Sequence, residues 1–135
     1  MNTFINNAIG QSEQGRVAVK LFLGVVEDWG LSEEQSLVLA GLNSRAVLHN
    51  WRKGVASKEG ITVSKDTLER LSYVAGIYKG VQLLFNDPYQ WKNWITKPNK
   101  HLGGQSALDR MLAGKVADLA DVRRYVDVWS AEHYE

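Results

Sequence analysis

The chain contains no cysteine. That absence excludes a disulfide framework, a thiol nucleophile and a thiolate-ligated zinc site. Proline is scarce too, with Pro88 and Pro98 the only two, both in the second half. Long apolar runs are missing: they extend over only a few residues, as at Val81 and Leu83-Leu84-Phe85, whereas a membrane-spanning helix needs about 20 such residues. The first seven residues, Met1 to Asn7, lack the basic region and apolar core of a signal peptide. A cytoplasmic protein with no membrane partner is therefore expected. An excess of one charge is also absent, since 16 Lys+Arg stand against 15 Asp+Glu for a net charge of +1. Partners must be sought in where the charges lie.

What is present fits a small folded unit. The chain has 135 residues, 44% of them hydrophobic, which suits one domain or two small lobes sharing a core. Between the breakers the apolar residues recur with a period near 3.6, and no β-alternation or internal repeat is found. The expected fold is all-α, with about seven helices. The first runs from about Glu13 to Asp28, with Val17, Leu21, Val25 and Trp29 on a wide apolar face beside Ala18, Phe22 and Val26. Gly24 on it suits a close backbone approach. The second opens at Ser32, where Gln35 three residues on completes a capping box, and ends near Gly41. The third runs from an N-cap at Ser44 to about Lys53, and Gly54 to Ile61 form a polar loop. The fourth, from about Ser64 to Phe85, carries two apolar stripes. Burial on both sides follows, either as a central core helix or as core plus dimer seam. Asp87-Pro88 starts a fifth helix that ends by Pro98. Ser106, with Asp109 three residues on, caps a short sixth that stops at Gly114. The last spans about Val116 to Ala131, with Leu119, Val122, Val126 and Trp129 as its inner seam.

Ser32 to Lys53 have the size of a helix-turn-helix unit. No acidic residue falls between Asn43 and Lys58, but Arg45, His49, Arg52, Lys53 and Lys58 do. In such a motif the N-terminal end of the second helix reads base edges. Ser44, Arg45 and His49 are placed there, with Arg52 and Lys53 as phosphate contacts. Val47, Leu48 and Trp51 would anchor the helix inward. Leu37 stands where a small residue is usual, and the inward aromatic falls one residue late. A solvated cationic helix face is the plainer account.

Nothing assembles into a catalytic constellation. His49, His101 and His133 are far apart, and none of the metalloprotease, phosphate-loop or nucleophile-elbow motifs occurs. Gly103-Gly104 suits a tight turn better than an anion site. No enzyme, cofactor or metal is expected.

The stretch Trp94-Ile95-Thr96-Lys97-Pro98-Asn99-Lys100-His101-Leu102-Gly103-Gly104-Gln105-Ser106-Ala107-Leu108-Asp109 resembles the toxin-binding region of the Xre/MbcA/ParS-like antitoxins. Their pattern is Trp-Leu-x-x-Pro-Asn-x-x-Leu-Gly-Gly. Here Ile95 replaces the Leu, and Ser106-Ala107-Leu108 stands where Pro-Leu is common. Leu112-Ala113-Gly114 and Val116 to Tyr125 continue the pattern, and Leu68-Glu69-Arg70-Leu71 with Val74 to Phe85 look like the family's central helix. The likeness covers about Leu31 to Ala131. It implies an Xre-like, dimerising helix-turn-helix lobe, residues 1–86, packed on a small helical toxin-binding domain, residues 87–135. It also implies a RES-domain toxin partner that consumes NAD, steric blockage of the toxin's active site, and repression of the shared operon through operator DNA. Parts of the first and fourth helices are assigned to the homodimer.

The tail chemistry is compatible. Asp118, Asp121, Asp127, Glu132 and Glu135 outnumber Arg123 and Arg124, and an NAD-accepting cleft is cationic. Trp94, Arg123, Arg124, Trp129, His133, Tyr134 and Glu135 are assigned to toxin contact, the aromatics as anchors. A frayed, solvated terminus is the alternative for the tail. For the whole chain it is a stand-alone helix-turn-helix transcriptional regulator, or a plain assembly adaptor.

Overall fold

The computed structural model describes residues 3–133. Among them lie seven α-helices: α1 (Thr3–Asp28), α2 (Glu33–Ala40), α3 (Arg45–Ala56), α4 (Lys65–Leu84), α5 (Pro88–Trp94), α6 (Ala107–Met111) and α7 (Val116–His133), with a single 3-10 turn at Lys100–Leu102. The fold is all-α, as the periodicity implies.

Local chemistry explains most boundaries. Ser32 and Gln35 form the reciprocal capping box that starts α2, and Gly41, at φ +70°, ends it. The side chains of Ser64, Asp87 and Ser106 accept from the backbone N–H of Thr67, Tyr89 and Asp109. Ser44 sits at the start of α3 with extended backbone, but its hydroxyl makes no capping bond. Helix α1 begins ten residues before Glu13. Its polar start breaks the apolar period without breaking the backbone, and the Ile61 N–H donates to the Ser12 carbonyl across the 2.9 Å gap to the α3–α4 loop. Helix α3 outruns Lys53 because Gly54 faces inward against Ile61.

Helix α4 is the central element. Leu71, Val74, Ile77, Gly80 and Val81 are all buried along it, with α1 on one side and α7 on the other. Each stripe thus finds a partner inside the chain, although Ala75 and Tyr78 also border an open groove. Two glycines set the closeness of α7: a methyl group at Gly76 would overlap the Arg123 guanidinium, and one at Gly80 would overlap Val126. Leu119, Val122 and Val126 are buried opposite, as expected of the α7 seam. Arg70 ties the halves together. Its Nε pairs with Asp66 at 3.1 Å, it covers Gly41, and it donates to the Gly114 carbonyl at 3.1 Å.

The apolar face of α1 is narrower than its sequence implies. Val19, Phe22, Val25, Val26 and Trp29 are buried, but Val17 and Leu21 are 48% and 55% exposed. The neighbours α3 and α4 cover only part of the stripe. Nothing approaches Gly24 either. Val17, Leu21 and Gly24 instead line an open groove of about 940 Å³ against Ala75 and Tyr78 of α4.

Candidate functional site

Two surfaces carry the residues singled out above. The first is built on α7, α5 and the turn between α5 and α6. Trp94, at the end of α5, is buried to 9% exposure. Its ring lies parallel to Tyr125 with centroids 6.4 Å apart, and it touches Trp129 at 5.8 Å. Tyr125 and Trp129, four residues apart on α7, are one helical turn from each other and 5.8 Å apart by ring centroids. Phe85 closes one end of the row against Trp129, and His101 stacks on Tyr125 at the other. Trp94 and Trp129 are therefore brought together, with their ring faces turned inward. Trp91 also points inward but meets Tyr78 on α4 instead.

The turn that carries His101 is held by its own backbone. The Asn99 side chain accepts from the His101 N–H, the Gly104 N–H donates to the Asn99 carbonyl, and Pro98 pairs with Ser106 in an isolated antiparallel bridge. Gly103 and Gly104 both adopt positive φ, +72° and +87°, which only glycine does freely. The diglycine is a tight turn, as its sequence suggests. Between this turn and α7 lies a groove of about 570 Å³, lined by His101, Leu102, Gly103, Gln105, Arg110, Asp121, Arg124, Tyr125 and Val128. Val128 is 54% exposed beside it. Arg110 pairs with Asp121 at 2.8 Å and approaches Asp118 at 3.6 Å.

The two α7 arginines diverge, because consecutive helical residues point about 100° apart. Arg123 lies over Gly76, pairs with Asp127 at 3.0 Å and donates to the Ser72 carbonyl at 3.4 Å. It is spent on the α4–α7 seam. Arg124 faces outward into the groove and meets Asp121 at 3.5 Å. His133 is the last residue of α7. Tyr134 and Glu135 lie outside the described residues. Sequence reasoning passed over Tyr125, Val128, Arg110 and the stacking of His101. The spacing of Asp121, Tyr125 and Val128 at helical intervals was the available signal.

The second surface is the outer face of α3. Arg45, His49, Arg52 and Lys53 are exposed there, while Leu48 and Trp51 are buried, Trp51 edge-on to Phe22. Val47, expected inside, is 36% exposed, because it lies at the edge of the face that buries Leu48 and Trp51 and not at its centre. The two arginines are not free. Arg45 pairs with Glu34 and lies 3.8 Å from Glu33, and Arg52 lies 3.6 Å from Glu33. Both acids belong to the first turn of α2.

The family description of the antitoxin Xre/MbcA/ParS C-terminal toxin-binding domain matches residues 81–129. That span begins in the last turn of α4 and contains the aromatic row, the diglycine turn and most of α7. An uncharacterized protein of Sinorhizobium fredii, y4oB, is 36% identical over 118 residues, covering 86% of this chain and 88% of that protein. The chain belongs to the Xre/MbcA/ParS antitoxin family. The aromatic row and groove of this antitoxin thus fall inside a domain of toxin-binding type. Among the described residues no helix is long and apolar enough to cross a membrane.

Proposed function

We propose that this chain is the antitoxin of a toxin–antitoxin pair and neutralises a RES-type, NAD-consuming toxin by covering its active site. The observation that carries this reading is the match of the toxin-binding domain to residues 81–129, the region where α7 and the diglycine turn leave an open groove. The inward rings of Trp94 and Trp129 set the shape of the surface. His101, Arg124, Tyr125 and Val128 are among the side chains that line it. The C-terminal residues His133, Tyr134 and Glu135 supply negative charge and aromatic bulk for a cationic cleft. The chain works by binding and needs no cofactor of its own.

The homodimer contact is assigned to the groove between α1 and α4, whose lining mixes Val17, Leu21 and Gly24 with the charged Arg16, Lys20 and Lys79. Regulation of the shared operon is assigned to the α2–α3 face, with Arg45 and His49 toward base edges and Arg52 and Lys53 toward phosphates. The runner-up, a stand-alone regulator, has no claim on a toxin-binding domain.

The test is coexpression with the product of the neighbouring gene. The full chain is expected to restore growth, and deletion of Ser130 to Glu135 to weaken the rescue while thermal unfolding changes little. Full rescue by the shortened chain would remove the plug and leave the groove as the contact. Absence of a toxic neighbour would end the reading.

A further inference from the structure

Two of the cations of α3 face carboxylates. Arg45 and Arg52 meet Glu33 and Glu34 across the α2–α3 corner, and all four side chains are substantially exposed, between 36% and 64%. The local charge is then Arg45, Arg52 and Lys53 against Glu33 and Glu34, or three minus two, a net +1. Without the acids it would be +3. We propose that Glu33 and Glu34 are specificity-determining residues: they restrain sequence-independent binding to phosphates while holding Arg45 for a base. This rests on the reading that the α2–α3 face meets duplex DNA.

The physics separates the two kinds of binding. Binding without sequence preference comes almost wholly from neutralising phosphates. For that mode Arg45 and Arg52 must turn from carboxylate to phosphate, and the stranded carboxylates then lie beside the backbone and repel it. Reading a base makes a different demand. A guanidinium carries five N–H donors in a flat fork. Glu34 can hold one edge of Arg45 while another edge meets the acceptors of a guanine. The acids therefore weaken the unselective mode more than the selective one. Exposed ion pairs of this kind are weak, so they do not lock the face shut. They act through the charge they place there.

The experiment compares the full chain with Glu33→Gln/Glu34→Gln on two duplexes of equal length, one from upstream of its own gene and one scrambled. The capping pair Ser32 and Gln35 is untouched, so α2 is expected to form in the variant. The variant should bind the scrambled duplex about tenfold tighter or more. Its plot of log affinity against log salt should steepen by about two, one for each cation freed to neutralise a phosphate. The preference for the upstream duplex should fall. Arg45→Ala in the full chain should lose preference without gaining scrambled binding. Unchanged affinity of the variant for the scrambled duplex, with preference for the upstream one intact, overturns the filter and leaves the DNA reading standing. No binding of either duplex by either chain overturns both. Should the double variant fail to fold, Glu34→Gln alone gives the same comparison with a smaller shift in the same direction.

Discussion

Tyr78 joins three helices through one side chain. Its hydroxyl bonds to the Asp28 carboxylate at the end of α1, and its ring sits edge-on between Trp29 and Trp91. Burial, then the hydrogen bond to Asp28 and the charge of that carboxylate, push its pKa up to about 12. The folded chain thus holds this proton where the unfolded chain, near pH 10, has begun to lose it. By linkage the stability from Tyr78 is complete below about pH 10 and is lost as pH rises towards 12. Denaturant unfolding at pH 9 and pH 11 should show the loss, and Tyr78→Phe should flatten it. An ultraviolet titration should find one phenol ionising last in the wild type and absent from the variant. A slope of equal size in Tyr78→Phe would assign the alkaline loss to other groups.

At the scale of elements, the α4–α7 seam depends on what two positions lack. Gly80→Ala pushes a methyl group into Val126; overpacking of this kind costs about 1–3 kcal/mol, offset by about 1 kcal/mol from alanine's better helix propensity. The expected result is a lower denaturant midpoint with an unchanged slope. A net stabilisation of about 1 kcal/mol, the propensity gain alone, would mean that α7 can shift to accept the methyl group. This seam also marks the limit of what could be read beforehand. Helix starts were legible because Ser32, Ser64, Asp87 and Ser106 cap through short-range bonds that a local pattern encodes. The α7 seam was legible because it is a single regular stripe. Gly76 and Gly80 gave no such signal, since a glycine inside a helix reads only as a weak helix former. Their meaning lies in residues 47 and 46 positions away. The excess breadth assigned to the α1 stripe has the same origin: its period shows which residues share a side, but not how many neighbours arrive to cover them. The charge of α3 was legible, whereas its neutralisation by Glu33 and Glu34 needed the angle between two helices.

For the whole molecule, the question is which parts stand alone. Helix α4 supports α1 with one side and α7 with the other, and Arg70 bonds it to Gly114. A fragment of residues 87–135 would leave Leu119, Val122 and Val126 without the wall that buries them. It is expected to show little helical circular dichroism and no cooperative melting. A fragment beginning at residue 65 keeps that wall and should retain a melting transition, at lower temperature than the intact chain because Leu71, Val74 and Ile77 lose part of their cover. Equal behaviour of the two fragments would show that α7 folds without α4. The candidate site was legible unevenly at this scale. The motif around Trp94 to Gly104 marked the region, but which side chains reach its surface depends on how α5 and α7 are pressed against α4.

The close fit of Arg123 and Val126 onto Gly76 and Gly80 bears on how such proteins can diversify. Exchange of toxin preference between two antitoxins by recombination needs a junction upstream of both glycines, near the loop that precedes α4. A crossover at the start of α5 would give α7 from one parent a foreign track to ride on. Hybrids that inherit the track and its rider together are the ones expected to stay soluble and protect their host.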